Sequence, residues 1–312
     1  MCELCEGGPP TRLDWDALLG WYAAAARELP WRRGDTTPWG VLVSEVMLQQ
    51  TPVARVLAPY AAWLARWPTP AALAADAPGV AVRQWGTLGY PRRALRLHAA
   101  ARAMVERHGG DVPDDPAELR ALPGVGAYTQ RAVAAFAFRH PTLPLDTNVR
   151  RVLARAVHGR AAPGGTTPTR GEQRAADALL SPDAAAAGAV AVMELGALVC
   201  TTRAPRCDRC PITGSCAWWS GAQRPASPRA RPRRDRPYAG SDRQARGALL
   251  AVLRAAAGPV DPDALVVPGL EADDGRADAR QRRRALKSLL ADGLVERLPD
   301  GRFALPGDPL SA

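Results

Sequence analysis

The sequence predicts an all-α protein that ends in a small α+β module. Between residues 13 and 199 apolar residues recur at helical spacing, and strand patterns are weak. A stretch rich in arginine and proline, residues 221–240, then interrupts the helical pattern. After it, two more helical patterns precede two short strand-like runs joined by Pro299-Asp300-Gly301. Helices followed by one hairpin are typical of a winged helix, so we expect a winged-helix-like C-terminal module at residues 241–306.

Each predicted element of the helical region has a local reason. Residues 1–12 show no periodic pattern and are predicted to be a flexible tail. Leu13, Leu18 and Tyr22 share one side of a helix over residues 13–28, which Leu29-Pro30 ends. Further short helices, separated by proline and glycine, are predicted at residues 41–57, 58–66, 70–75, 78–87, 92–108, 115–121, 127–138, 146–158, 171–180 and 184–199.

The predicted linker at residues 221–240 cannot form a packed core. Arginine repeatedly stands beside proline there, so the segment is expected to be extended and basic. Beyond it, a helix at residues 242–256 carries leucines on one face, and a second at residues 278–291 begins at Asp278, a residue type suited to an N-cap. Residues 294–298 and 302–305 are predicted to form the two strands of the hairpin.

The charge of the chain favours a polyanionic partner. The formal net charge is +10, and almost all of the positive charge is arginine. A GC-rich genome would produce the same bias, so composition alone does not decide. The single lysine, Lys287, lies far along the chain from any candidate site, which argues against chemistry through a lysine Schiff base. Because no apolar run resembles a signal peptide or membrane span, we expect a cytoplasmic, nucleoid-associated protein with reduced cysteines and no membrane partner.

A glycine hairpin between two predicted helices is the most informative local feature. Leu122-Pro123 is followed by Gly124-Val125-Gly126, and such a hairpin lets backbone N–H groups approach a DNA phosphate without side chains between them. Asp146 follows the second helix, where its carboxylate could face an opened nucleotide. The same aspartate is also a good N-cap for the helix that starts beside it.

Four cysteines indicate a metal centre. Cys200, Cys207, Cys210 and Cys216 are spaced C-x6-C-x2-C-x5-C. Structural zinc and a [4Fe–4S] cluster both use four thiolates, and the single CxxC with longer arms favours the cluster while leaving zinc open. The separate pair Cys2 and Cys5 has no second pair nearby and is assigned no metal.

Three segments together resemble the MutY family of adenine DNA glycosylases, within the helix–hairpin–helix glycosylases that include endonuclease III. The segments are Ser44–Thr51 (SEVMLQQT), Leu122–Thr129 (LPGVGAYT) and Met193–Cys200 (MELGALVC) with the three later cysteines. The resemblance covers about residues 13–220. It implies a two-lobed fold, with a [4Fe–4S] lobe from residues 13–38 and 139–220 and a six-helix lobe from residues 39–138 that carries the hairpin.

The resemblance also implies an activity and a partner. We expect a monofunctional glycosylase, a monomer that removes adenine mispaired with 8-oxoguanine or guanine in double-stranded DNA. Cleaving the glycosidic bond gives the sugar oxocarbenium character, so it needs an acid on the base and an anion near C1′. The base must first leave the stack, which costs a few kcal/mol.

Four residues take catalytic roles by this resemblance. Glu45 lies in an apolar helix, where burial would raise its pKa, and corresponds to the acid that protonates adenine N7. Asp146 corresponds to the anion that stabilises the oxocarbenium ion, and the N-cap position is expected to favour its ionised form. Tyr128 stands where the lyase relatives carry a nucleophilic lysine. Asn148 would orient Asp146 or the attacking water.

Other matched positions would bind the DNA. Trp31, Arg32 and Leu48 correspond to residues that line the adenine pocket, and Gly124, Val125 and Gly126 form the phosphate hairpin. The SEVMLQQT segment ends in three polar residues, Gln49, Gln50 and Thr51, which are expected to lie inside a helix. They would fill or read the gap left by the flipped base. The family usually has two tyrosines at the positions that follow Gly89. In this sequence the first is Tyr90, and Pro91 replaces the second. Either residue could act as a wedge in the duplex.

The C-terminal part departs from the family, which commonly ends in a NUDIX-like domain that senses 8-oxoguanine. Residues 241–306 are too few for that domain and lack its β-rich pattern, so the preference for 8-oxoguanine over guanine stays open. Two alternative functions remain. One is a thymine- or uracil-mismatch glycosylase of the same superfamily, and the other is a non-catalytic iron–sulfur DNA-binding regulator.

Overall fold

The computed structural model describes residues 12–180, 185–221, 238–265 and 276–307 of the 312-residue chain. Within these ranges the protein is helical apart from one two-stranded sheet, which confirms the predicted fold class. The helices are α1 (Trp15–Ala25), α2 (Pro38–Leu48), α3 (Val53–Arg66), α4 (Pro70–Ala75), α5 (Pro78–Trp85), α6 (Arg92–Arg107), α7 (Pro116–Ala121), α8 (Ala127–Phe138), α9 (Thr147–Ala156), α10 (Arg170–Asp177), α11 (Ala185–Leu198), α12 (Ala217–Ser220), α13 (Asp242–Ala255) and α14 (Arg276–Ala291). None of the helices described is both long and apolar enough to cross a membrane.

One predicted helix boundary is wrong. The sequence suggested helices at residues 41–57 and 58–66, but α2 ends at Leu48 and α3 runs without a break from Val53 to Arg66. The chain turns before Pro52, which takes an extended conformation as the N-cap of α3. Pro59, which suggested the break, lies inside α3 instead. The short helix α12 was not predicted.

Contacts between residues divide the described chain into two compact units. The first contains residues 12–41, 114–120, 125–180 and 185–221, and the second contains residues 42–113, 121–124, 238–265 and 276–307. The predicted domain boundaries remain predictions, because a unit of contacts need not fold on its own. The predicted tail and most of the predicted linker lie outside the described residues, as do Cys2 and Cys5.

The first unit is built around helices α1, α9 and α11. Leu18, Val149 and Leu195 are fully buried in its apolar core. Gly188 allows α11 to pack closely, because an added Cβ would lie 2.8 Å from the ring of Trp15. The Trp15 indole N–H donates to the Leu179 carbonyl at 2.9 Å and so satisfies its only polar atom.

The second unit has an aromatic core between α3, α5 and α6. Trp63 packs edge-to-face against Trp67 and Trp85, with ring centroids 4.5 Å and 5.5 Å apart. All three side chains are almost completely buried. Such pairs add to the hydrophobic contribution of the buried area itself.

The C-terminal module belongs to the second unit and contains the predicted hairpin. Helices α13 and α14 pack together and bury Leu249, Leu253 and Leu289. Strands β1 (Glu296–Arg297) and β2 (Phe303–Ala304) are antiparallel, and Arg297 is opposite Phe303. A further antiparallel bridge joins Val260 to Phe303. The module thus has the helices and the hairpin of a winged-helix-like arrangement.

Candidate active site and metal centre

The hairpin between α7 and α8 requires glycine at its first glycine position. Gly124 has φ +81°, and a Cβ there would lie 2.7 Å from Cβ of Arg96. Gly126 is the N-cap of α8 and has open space where a side chain would be. Val125 is buried, and its carbonyl accepts a hydrogen bond of 2.6 Å from Arg120 Nη1. The N-terminus of α8 therefore meets open space at Gly126.

Glu45 lies in the most apolar part of α2. Residues 41–47 are all buried, and Glu45 is only 7% exposed. The sequence predicted this burial from the neighbouring Val43, Val46 and Met47. Leu48, which ends the helix, is half-buried.

Asp146 is the N-cap of α9 and is held at both carboxylate oxygens. Its Oδ1 accepts from the Val149 backbone N–H at 2.6 Å, and its Oδ2 accepts from Asn148 Nδ2 at 3.0 Å. The predicted cap is therefore present. Burial raises the pKa of Asp146. The cap hydrogen bond lowers the pKa, in the expected direction, but burial outweighs it and the net pKa is raised.

Arg151 connects Asn148 to the cysteine loop, the segment that begins at Cys200 and ends at Cys216. Arg151 Nη2 donates to Asn148 Oδ1 at 2.8 Å and to the Gly196 carbonyl at 2.6 Å, while its Nε donates to the Cys200 carbonyl at 2.7 Å. Gly196 packs directly on Asn148, since an added Cβ would lie 2.8 Å from Asn148 Cβ. A continuous set of hydrogen bonds therefore runs from the cysteine loop through Arg151 and Asn148 to Asp146.

Trp31 and Arg32 lie in a 3₁₀ turn that a buried acid holds in place. Glu194, with a fully buried side chain, accepts from Arg27 at 2.7 Å and from Arg32 Nη2 at 2.9 Å. Burial alone would raise the pKa of Glu194, but the hydrogen bonds from the two arginines outweigh it and lower the pKa to about 2. Trp31 is buried, and Arg32 Nη1 is buried without a hydrogen-bond partner among the described residues.

Two exposed residues of the second unit have left-handed backbone conformations. Gln50 has φ +56° and Tyr90 has φ +46°, values that are uncommon for residues other than glycine. Gln50 lies in the turn after α2, so the expectation that residues 49–51 lie inside a helix is wrong. Tyr90 lies just before α6 and is 55% exposed. Pro91 is half-buried and forms the N-cap of α6.

One guanidinium group holds both of these turns. Arg93 is 5% exposed and donates to the carbonyls of Val46 and Met47 at 2.9 Å and of Gln49 at 2.6 Å. It also donates to the hydroxyl of Thr51, itself buried, and to the Gly89 carbonyl, both at 3.0 Å. Its guanidinium carbon lies 5.5 Å from the ring centroid of Tyr90. Arg93 therefore ties the end of α2 to the loop that carries Tyr90.

Tyr128 lies in the first turn of α8 and is half-buried. It follows directly on the hairpin, two residues after Gly126. Its backbone belongs to the same exposed helix start as Gly126.

The four cysteines of the pattern line one cavity, together with Arg155 and Trp218 among others. None of the four forms a disulfide. Burial, and to a smaller extent the nearby thiols of Cys200 and Cys216, raise the pKa of Cys210 to about 11. In the described part of the chain, no three Cys, His, Asp or Glu side chains converge closely enough to hold one metal ion.

Arg155 supports the cysteine loop from inside the first unit. The side chain is 1% exposed and donates to Cys200 Sγ at 3.4 Å and to the Thr201 carbonyl at 2.7 Å. The guanidinium carbon also lies 4.9 Å from the ring centroid of Trp218. A buried cation beside the thiols favours negative charge on a bound group.

Several residues of this site were not singled out from the sequence. Arg93, Arg151 and Arg155 act through contacts that are distant in the chain, and an Arg-rich composition hides them. Glu194 did carry a signal, because it is the only ionisable residue of the apolar helix α11.

The fold and the hairpin define a class of DNA repair protein. The sequence matches the family described as "HhH-GPD superfamily base excision DNA repair protein" over residues 43–166. The fold is similar to that of a thermostable thymine-DNA glycosylase, with a TM-score of 0.61 and 24% identity over 66% of this chain and 94% of that one. It is also similar to endonuclease III in a trapped covalent complex with DNA, with a TM-score of 0.56, 22% identity and coverage of 66% and 93%.

Curated relatives narrow this class. The chain is 51% identical to the adenine DNA glycosylase of Mycobacterium tuberculosis (strain ATCC 25618 / H37Rv), over 96% of this chain and 95% of the relative. It is 52% identical to the adenine DNA glycosylase of Mycolicibacterium smegmatis, over 93% of this chain and 95% of the relative. It is 41% identical to the adenine DNA glycosylase of Homo sapiens, over 64% of this chain and 38% of the relative. The chain belongs to the adenine DNA glycosylase family, which confirms the family resemblance seen in the sequence.

Proposed function

We propose that this protein removes adenine mispaired with 8-oxoguanine or guanine from double-stranded DNA, by hydrolysis and without strand cleavage. The observation that carries the proposal is the desolvated carboxylate of Asp146, held at both oxygens at the start of α9. An anion that is fixed in place and poorly solvated stabilises a nearby cation more strongly than one in water.

Asp146 is proposed to stabilise the oxocarbenium ion of the deoxyribose. The N-cap hydrogen bond from Val149 and the side-chain bond from Asn148 fix both oxygens, so the carboxylate does not have to reorganise during the reaction. Asn148 is proposed to position Asp146 through this hydrogen bond. Arg151 in turn fixes the amide oxygen of Asn148, which sets which end of the amide faces Asp146.

Glu45 is proposed to protonate N7 of adenine and to activate the attacking water. Its burial in α2 supports the acid role. Tyr128 in place of a lysine, and the single lysine of the chain, support hydrolysis rather than a lyase reaction.

The base and the duplex are proposed to contact three groups of residues. Trp31, Arg32 and Leu48 would line the adenine pocket, and the unpartnered Nη1 of Arg32 offers a donor for a base edge. Gly124, Val125 and Gly126 would hold a phosphate. Gln49, Gln50 and Thr51 would occupy the gap left by the flipped base.

Tyr90 is proposed as the wedge in preference to Pro91. Tyr90 is 55% exposed and has a left-handed backbone conformation. Pro91 is used as the cap of α6 and is half-buried. Strained backbone at exposed residues is a recurring feature of binding sites.

The four cysteines are proposed to hold a [4Fe–4S] cluster. A single Zn²⁺, with Zn–S distances of about 2.3 Å, would need all four sulfurs to meet around one point. In the part of the chain described, the thiols surround a cavity without converging in this way, and Arg155 lies beside Cys200. A [4Fe–4S] cluster, which takes one thiolate on each of its four irons, fits this donor set better. When bound, it would link the four cysteines covalently through their thiolates.

We further propose that the protein acts on DNA as a monomer in the cytoplasm, at the nucleoid. The net charge of +10 supports a polyanionic partner, and family membership narrows that partner to DNA.

The test is single-turnover base release from duplexes with adenine opposite 8-oxoguanine, guanine, cytosine or thymine, with and without alkali. We expect strand breaks only after alkali, fastest opposite 8-oxoguanine, and their loss in Glu45→Gln and Asp146→Asn. Equal rates of adenine release opposite guanine and opposite 8-oxoguanine would support adenine removal but exclude a preference for 8-oxoguanine. Release of thymine or uracil instead, or of no base, would overturn the proposal in favour of a mismatch glycosylase or a regulator.

A further inference from the structure

The C-terminal module is joined to α5 by a pair of reciprocal arginine contacts. Arg83 of α5 donates to the last carbonyls of α13, including Ala256 at 3.0 Å and Arg254. Arg254 Nε in turn donates to the Val82 carbonyl near the end of α5 at 3.0 Å. Each helix thus has its C-terminal carbonyls satisfied by an arginine of the other, an arrangement that also complements both helix dipoles.

The end of the hairpin makes a second, close contact with α5. The Gly79 backbone N–H donates to the Pro306 carbonyl at 2.7 Å. A Cβ on Gly79 would lie 2.8 Å from that carbonyl oxygen and 3.0 Å from Leu305 Cβ. The module is therefore fixed to α5 at two separate places, not only through its covalent linker.

A third contact places the end of α14 beside the Tyr90 loop. Asp292, the residue after α14, lies 3.3 Å from Arg92 and 2.6 Å from Arg246. Arg92 is the first residue of α6 and is two positions from Tyr90. The C-terminal end of α14 consequently lies next to the loop proposed to enter the duplex.

A basic stripe runs along the outer side of α14. Arg280, Arg283, Arg284 and Lys287 follow the i, i+3, i+4, i+7 spacing of one helix face, and all four are exposed. Arg284 pairs with Asp242 at 3.1 Å. Among the described residues, no acidic side chain forms an ion pair with Arg280, Arg283 or Lys287. Ala285 and Leu289 lie on the opposite side, buried against α13.

We infer that this stripe binds the phosphate backbone of the DNA duplex to one side of the mispair, an inference that rests on the proposed action on duplex DNA. At about 1.5 Å per residue, Lys287 lies roughly 7 Å and Arg280 roughly 18 Å from Asp292 along the helix axis. For α14 lying along the duplex axis, at about 3.4 Å per nucleotide of one strand, the stripe would reach phosphates roughly two to five base pairs from the Tyr90 loop. The module thus supplies a second DNA contact, fixed to the loop that enters the duplex.

The salt dependence of DNA binding tests the inference. The probe is a duplex with cytosine opposite 8-oxoguanine, which offers no mispaired adenine, and Kd is measured by fluorescence anisotropy at several KCl concentrations. In the variant Arg280→Ala/Arg283→Ala/Lys287→Ala, the slope of log Kd against log salt is expected to fall by about 2 to 3, since each phosphate contact contributes about 0.9. Alanine at exposed helix positions preserves helix propensity, and circular dichroism checks the fold.

A matched control separates a local contact from the overall charge. The variant Arg66→Ala/Arg102→Ala/Arg107→Ala removes the same charge from exposed positions of α3 and α6. We expect its slope to change by less than about 1. Equal changes in both variants would assign the effect to the general field of the protein, and an unchanged slope in the first would make the stripe a solvated face. Either result overturns the inference.

Duplex length and turnover complete the test. The difference between the wild-type protein and the α14 variant is expected to vanish when the duplex on one side of the mispair is cut to a single base pair, and to persist when the other side is cut. Persistence in both cases would overturn the inference. Single-turnover adenine release at enzyme concentrations near the wild-type Kd should be slower in the variant, because less DNA is bound, and equal rates there would overturn the inference. If wild type releases no adenine, the proposed function fails independently of the slopes.

Discussion

Replacing Arg93 by methionine tests how strongly one buried side chain holds the two strained turns. Methionine keeps much of the length and apolar contact of the arginine but donates no hydrogen bond. Five oxygen atoms lie within 3.0 Å of the guanidinium nitrogens, on Val46, Met47, Gln49, Thr51 and Gly89. Gln49 and Gly89 can turn to water in the variant, because both are at least partly exposed.

The expected cost follows from the acceptors that stay buried. The carbonyls of Val46 and Met47 and the hydroxyl of Thr51 are buried, and each unsatisfied group costs about 1 to 3 kcal/mol. Removing a charge that burial already disfavours offsets part of this, since burial lowers the pKa of Arg93 to about 10. We therefore expect Arg93→Met to lower the free energy of unfolding by about 3 kcal/mol.

Urea unfolding followed by tryptophan fluorescence measures this change, because three tryptophans form the core of the same unit. Arg102→Met on the same helix is the control; its exposed pair with Glu106 predicts a loss below about 0.5 kcal/mol. Among variants that remain folded, Arg93→Met should also lose the preference for 8-oxoguanine, as Gln50 and Tyr90 become mobile. A loss below 1 kcal/mol with an unchanged opposite-base preference would refute the reasoning.

Three further predictions concern the first unit. Asp146→Asn keeps an N-cap acceptor and removes a desolvated charge, so the free energy of unfolding in urea should change by less than about 0.5 kcal/mol while the rate of single-turnover base release falls roughly a hundredfold or more. Because the pKa of Asp146 is raised, base release by the wild-type protein should decline with falling pH at an apparent pKa above 3.8. A rate that stays constant down to that pH would contradict this assignment. Gly196→Ala places a Cβ 2.8 Å from Asn148 Cβ and should lower the free energy of unfolding by about 1 to 3 kcal/mol. Gly20→Ala is the control and should have no such effect, because its Cβ would meet nothing within 4 Å. Similar thermal melting curves for the two variants would disprove the close packing of Gly196 on Asn148. The pKa of Glu194 is about 2 in the folded state, below its unfolded value of 4.5, so its contribution to stability is complete above pH 4.5 and is lost as the pH falls towards 2. Glu194→Gln should therefore weaken the pH dependence of the free energy of unfolding in this range. An unaltered pH dependence would count against the ion pairs of Glu194 with Arg27 and Arg32.

Local patterns predicted most of the helices because proline and glycine mark their ends. Helices α4 and α8 have the predicted bounds, and the hairpin of the C-terminal module lies at the expected turn. The turn at Gln50 was missed for a physical reason. Its left-handed backbone is held by Arg93, 43 positions later, and periodicity contains no information about such a contact.

The candidate site shows the same division between local and distant interactions. The N-cap role of Asp146 could be predicted from four consecutive residues, because a cap is a local interaction. The net rise in its pKa could not be predicted, because desolvation depends on what the rest of the fold places around the carboxylate. Similarly, cysteine spacing predicted a metal centre but not Arg155 beside it, because Arg155 reaches Cys200 and Thr201 across 45 and 46 positions of the sequence.

The exposed position of Lys287 limits how this protein can be modified. The chain has no other lysine, and this one lies on the outer side of α14. Acetylation or any other reaction of a lysine ε-amine can therefore change the charge at only one position, within the basic stripe. An amine-reactive dye would label this helix and, apart from it, only the α-amino group, so a single reagent can attach a reporter beside the proposed duplex contact without engineering a new residue.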